Sequence, residues 1–145
     1  MTDNLTFTLP DGSPDYAAIN SSSPLLLRMG IVLTEATPDR LVATMPVEGN
    51  TQPYGLLHGG ASVVLAETLG SFGAMFVAGP GRVAVGVDIN ATHHRAVRSG
   101  SVTGVATPIH RGKTVTTWEV VISDDTGARV CTCRITCLLR EAARP

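Results

Sequence analysis

From Ala61 to Ala78 the chain carries one ionisable side chain, Glu67. The other polar residues in that run, Ser62, Thr68 and Ser71, are all small. A helix that is apolar on nearly every side is buried on nearly every side. The run therefore predicts one central helix with the rest of the chain wrapped about it. A carboxylate inside such a helix is costly unless something satisfies it, so Glu67 asks for a purpose. Ser71 lies four residues on and shares its face. The competing reading makes Glu67 a structural carboxylate paired across an interface.

The flanking sequence supplies the wrapping. Residues 1–23 are polar and turn-rich, with a short helix expected near Tyr16–Asn20. Pro24 opens a second short helix, since proline suits a first turn. Gly30 to Ala36 reads as a strand, and Thr37-Pro38-Asp39-Arg40 as a turn. Leu41, Ala43, Met45 and Val47 alternate against Val42 and Thr44, giving a second strand and a hairpin. Beyond the helix, Gly79-Pro80 is a stop signal. Val83, Val85, Val87, Ile89 and Ala91 then fall on one strand face, with Ala84, Gly86, Asp88, Asn90 and Thr92 on the other. Strands at 101–109 and 114–123 follow, and Asp124 to Gly127 turns into a last strand. In that strand Cys131, Cys133, Ile135, Cys137 and Leu139 form one apolar row. Two strands, one buried helix and four strands in meander-like succession predict an antiparallel sheet curled around the helix, an α+β fold. One sheet covers one side of a helix, so a second subunit is the natural cover for the other. The expected organisation is an extension over 1–24, one domain over 25–140 and a tail over 141–145.

At 145 residues the chain is one domain by the length prior. A net charge of −1 gives no electrostatic case for nucleic acid or an anionic membrane. The apolar run is about long enough to span a bilayer, but it holds Glu67 and is followed by strands that need something to wrap. Met1-Thr2-Asp3-Asn4 lacks the basic patch and apolar core of a signal peptide, and a cytoplasmic location is expected. The cysteine spacing matches no common zinc site, and His93-His94 has no third ligand at a recognisable interval. No metal is expected.

Gly59-Gly60 at the helix start allows another group to approach the backbone. The first-turn N–H groups lack intrahelical partners and sit at the positive end of the helix dipole, where a developing oxyanion would be held. Tight packing is the plainer reading of the glycines alone. Glu67 lies eight residues beyond Gly59, about 12 Å along the axis at 1.5 Å per residue. One carbonyl does not easily reach both, so a shared substrate would meet Gly59 of one subunit and Glu67 of another. An isologous dimer with antiparallel helices brings them together twice.

The run Gln52-Pro-Tyr-Gly-Leu-Leu-His58-Gly59-Gly60-Ala-Ser, followed by Leu65-Ala66-Glu67-Thr68, resembles the signature of hotdog-fold acyl-CoA thioesterases. It is most similar to the branch of the PaaI-type and Arthrobacter-type 4-hydroxybenzoyl-CoA enzymes. The resemblance covers roughly Gly30 to Leu139. It implies a hotdog fold, sites built across the dimer interface, and a homodimer or a dimer-of-dimers homotetramer. It implies Glu67 as the catalytic carboxylate, attacking the thioester carbonyl or activating a water, and Gly59 as the backbone donor that polarises that carbonyl. His58 and Gln52 match residues that orient the site. Ser71 stands where related enzymes often carry threonine; Thr68 is a weaker candidate. Similar enzymes hold the phosphates of CoA with basic residues, for which this chain offers His93, His94, Arg95, Arg111 and Lys113. CoA is then part of the substrate, and no separate cofactor is expected. Aromatic acyl groups are the first expectation by analogy. Phe72, Met75 and Phe76 either line an acyl pocket or belong to the core, and Trp118 reads as packing. Hotdog dehydratases resemble His-Phe-Pro-Gly, which is missing here, and a non-catalytic acyl-CoA-binding module is the remaining alternative.

Overall fold

The computed structural model describes residues 7–142. The chain runs through α1 (Tyr16–Ser21), α2 (Pro24–Met29), β1 (Val32–Thr37), β2 (Arg40–Pro46), α3 (Gly59–Ala78), β3 (Arg82–His93), β4 (Ser101–Arg111), β5 (Val115–Asp124) and β6 (Arg129–Glu141). The six strands form one antiparallel sheet in the order β1-β2-β4-β5-β6-β3. α3 lies along one face of it and packs against every strand but β1. This is the expected α+β arrangement of a sheet around one central helix. α3 is long and apolar enough to cross a membrane, but more than half of it is buried against this sheet.

Two details differ from the sequence reading. Only β4, β5 and β6 form a meander; β3 sits beyond β6 at the far edge. The helix causes this. It carries the chain from β2 across the sheet to the opposite edge, and the last three strands fill the gap. The second difference lies inside β3. Its ladder with β6 shifts register between Gly86 and Asp88, a bulge that inserts Val87. One extra residue exchanges the two strand faces. Ala84 and Gly86 therefore face the helix before the bulge, and Ile89 and Ala91 after it. Val83, Val85 and Val87 are exposed, not part of a single face with Ile89.

The core explains why the helix sits so close. Trp118, Leu65, Leu69, Ile122 and Ile135 are fully buried. A Cβ on Gly73 would lie 2.7 Å from the Trp118 ring, and one on Gly70 would run into Ile135. The cysteine row is buried as expected, and its thiols are free. The N-terminal segment joins the same core through Phe7 and Ile19. Phe7 meets Phe72 edge-on with ring centroids 5.7 Å apart. The Asn20 side chain pairs with both backbone groups of Leu33 (2.8 and 3.2 Å), fixing α1 against β1. α2 is capped by Ser23, with Pro24 in its first turn, and it is thereby brought alongside α3.

Candidate active site

The expected site residues fall into two grooves at different levels of α3. The first has a volume of about 430 Å³ and holds Glu67, Thr68 and Ser71, walled by Leu25 and Leu26 of α2 and by Val64, Phe72 and Met75 of α3. Glu67 is exposed within the protomer, which removes the burial cost the sequence implied. It forms no ion pair with any described residue. Its carboxylate lies over Gly86, where a Cβ would stand 3.2 Å from Oε1. Gly86 pairs with Cys137 across the β3–β6 ladder. Burial pushes the Cys137 thiol up; a hydrogen bond to Ser71 acts the other way, and the charge of Glu67 adds to the rise. Ser71, Cys137 and Glu67 are thus immediate neighbours.

The second groove, about 370 Å³, gathers Gln52, Gly59, Ser62, His93, His94 and Arg95 at the helix start. His58 is the N-cap of α3, and its Nδ1 accepts the Gly60 N–H at 2.8 Å. Its carbonyl takes the N–H of Ala61 (2.9 Å). Among the described residues the Gly59 N–H has no acceptor. The cap thus consumes one first-turn amide and leaves its neighbour at the groove. The His93 ring lies over Gly59, with Nε2 2.9 Å from where a Cβ would be, so a side chain at 59 would displace it. His94 Nε2 lies 2.9 Å from the Thr132 hydroxyl. Gln52 is delivered by a tight loop in which its N–H donates to Leu56 O (2.8 Å) and Thr51 bridges Leu57.

The basic residues do not all share this groove. His93, His94 and Arg95 do. Arg111 and Lys113 lie in the β4–β5 hairpin, outside both grooves. Arg111 donates to Pro38 O (2.8 Å) and Asp39 Oδ1 (2.7 Å). Among the described residues no three His, Cys, Asp or Glu side chains gather to hold a metal. Three contributors had not been singled out from sequence: α2 as a wall, Gly86 beneath the carboxylate, and Cys137 beside it. A glycine inside a valine-rich strand was the available signal, since it often marks a bulge or a close approach.

Chemically, one groove offers a free carboxylate beside apolar walls, and the other offers an unpaired amide at a helix N-terminus with Arg95 and two imidazoles nearby. Residues 54–131 match the model of the thioesterase superfamily. The proofreading thioesterase EntH of Klebsiella pneumoniae is 48% identical over 122 residues, spanning 82% of this chain and 89% of that one. A thioesterase of Pseudomonas aeruginosa, solved as a glutamine-to-alanine variant, superposes with a TM-score of 0.85 at 39% identity, covering 89% of this chain and 96% of its own. A Staphylococcus aureus protein superposes with a TM-score of 0.79 at 32% identity, covering 81% and 99%. It was solved with a glutamate replaced by alanine and separately with a glutamine so replaced.

Proposed function

The chain belongs to the thioesterase superfamily and is a thioester hydrolase; from that premise we propose that it cleaves acyl-CoA to free acid and CoA in a site shared by two copies. The observation that carries the composite site is the division just described, with Glu67 in one groove and the free Gly59 N–H in the other, about 12 Å apart along one helix. In a two-fold dimer the helix start of one protomer faces the Glu67 of its partner. The Gly59 N–H then receives the carbonyl oxygen and stabilises the charge that gathers there. Glu67 adds to the carbonyl carbon, or takes a proton from the water that does, and the C–S bond breaks to release the CoA thiolate. Gln52 and His58 orient the reacting groups. Ser71 steadies the carboxylate from one turn away.

The replaced glutamine and glutamate of the S. aureus protein support this assignment: they are separated by the same interval as Gln52 and Glu67 here. The acyl group lies along Leu25, Leu26, Val64 and Met75, which suit a flat apolar group, and aromatic acyl-CoAs are the first substrates to try. The CoA moiety extends past His93, His94 and Arg95 as part of the substrate, so the reaction needs no cofactor. Arg111 and Lys113 would reach a CoA phosphate only from a neighbouring chain, as in a dimer of dimers. The free thiols accord with a cytoplasmic location.

The test is thiol release from a panel of aromatic and aliphatic acyl-CoAs by wild type and Glu67→Ala. Loss of the carboxylate is expected to lower kcat by about 10²- to 10⁴-fold with the fold intact. Near-wild-type turnover by the variant would sink the assignment of Glu67. A folded wild type that binds acyl-CoA but releases no thiol would make the protein a binding module.

A further inference from the structure

One buried amide lies where the frames of both grooves meet. Asn50 is one of three buried polar residues among those described, with 9% of its surface exposed. Its Nδ2 donates to two backbone carbonyls, Met29 O at 2.8 Å and Pro46 O at 2.9 Å. Its own N–H donates to Val47 O (3.0 Å), and its carbonyl accepts the His58 N–H (2.8 Å). Met29 ends α2, the wall of the Glu67 groove, and Pro46 ends β2. His58 is the cap that consumes the Gly60 amide and directly precedes Gly59. The loop between Asn50 and His58 closes on itself through the Thr51–Leu57 bridge, so its base, not its tip, sets where Gly59 lies.

We infer that Asn50 is a positioning residue for hydrolysis: its side chain clamps the loop base to α2 and β2, and so fixes the Gly59 N–H. The inference rests on the reading of Gly59 as the carbonyl donor. The physical reason for an amide here is its pair of donors. Two carbonyls converge on one nitrogen, a demand that Asn meets and that Asp, Ser and Ala do not. Leaving buried carbonyls without donors is unfavourable, and the chain relieves it by moving. A displacement of about 1 Å at a reacting group is enough to cost about 10²-fold in rate. Asn50 touches neither groove, so the loss appears in kcat more than in KM.

The experiment compares wild type, Asn50→Ala and Asn50→Asp by thiol release, thermal unfolding and amide hydrogen exchange. For Asn50→Ala a fall in kcat of about 10- to 100-fold is expected, with KM changed less than about threefold and faster exchange of the His58 amide. A folded variant with wild-type kcat and an equally protected His58 amide would overturn the inference. If Asn50→Ala does not fold, Asn50→Asp decides. A protonated carboxyl supplies one donor, and a carboxylate supplies none and faces two carbonyl oxygens. Burial raises the pKa of such a carboxyl. Its kcat should therefore fall as pH rises, along a limb that the wild-type profile lacks. A profile of wild-type shape, or a lower melting temperature with unchanged kcat, leaves Asn50 a purely structural residue and overturns the proposal. Hydrolysis that survives Glu67→Ala would instead refute the role given to Glu67, while the exchange measurement would still report on the clamp.

Discussion

Gly86→Ala should make the protein more stable and less active at once. A Cβ at this position stands 3.2 Å from Glu67 Oε1 and 4.0 Å from Ile135 Cδ1. The first contact is tight enough to push the carboxylate by a few tenths of an ångström; the second is ordinary packing. If about 1 Å of misplacement costs about 10²-fold, a few tenths cost about fivefold in kcat. Stability moves the other way. Gly86 is not among the glycines with positive φ, so alanine fits its backbone. Glycine inside a strand is less stable than alanine by roughly 0.5–1 kcal/mol. For a chain of this size, 1 kcal/mol corresponds to roughly 2–4 °C in melting temperature. Initial rates of thiol release and a thermal melt on the same preparation give both numbers. An unchanged kcat would mean that Gly86 does not hold Glu67 in place. A joint fall in kcat and melting temperature would mean that the alanine damages the fold, and the reasoning would fail there too.

The composite site predicts complementation. Glu67→Ala and Gly59→Ala chains, each inactive alone, should recover about a quarter of wild-type activity when mixed, because half of randomly paired dimers are hybrids with one intact site of two; hybrids that form and stay inactive would refute sharing. A second prediction concerns pH. Burial pushes the Cys133 thiol from 9.0 up to about 12, with Cys131 adding to the rise, so the folded state holds this proton more tightly than the unfolded chain. Stability from this group is complete below about pH 9 and is lost as pH rises towards about 12. Urea midpoints measured from pH 8 to 11 should therefore fall with pH, and a Cys133→Ala chain should fall less; equal slopes would contradict the assignment to this thiol.

The residues that could be read in advance are those whose signal is local. The apolar run from Ala61 to Ala78, the glycines at its start and the alternation of Leu41, Ala43 and Met45 each depend on neighbours within one element. They give the helix, the hairpin and the α+β class. The placement of β3 beside β6 depends on where a helix lands after crossing the sheet, which no local period records. The bulge at Val87 broke the strict alternation that the valines suggested, because a pattern of period two carries no mark of an inserted residue. Glu67 was legible as an anomaly, but its surroundings were not. Gly86 and Cys137 approach it from distant parts of the sequence, and α2 walls its groove from some forty residues upstream. Asn50 left no trace at all, since a buried amide and a turn amide are spelled alike.

The glycines of α3 bear on how a nearly uniform cylinder finds a single seat. An amphipathic helix is oriented by its two unlike sides. α3 has apolar residues around its whole circumference, so hydrophobicity alone would let it roll or slip by a turn with little penalty. Gly70 and Gly73 break that degeneracy. Each is a notch that receives one side chain from the sheet, Ile135 in one and the edge of the Trp118 ring in the other. A roll or a slip would set Leu69 or Phe72 against the same ridges, where neither has room. The helix is thus keyed to the sheet on its hidden side, and the key fixes the angle at which Glu67, one turn before Gly70, leaves the flank beside Gly86. A mutation that fills a notch would turn the carboxylate without touching it.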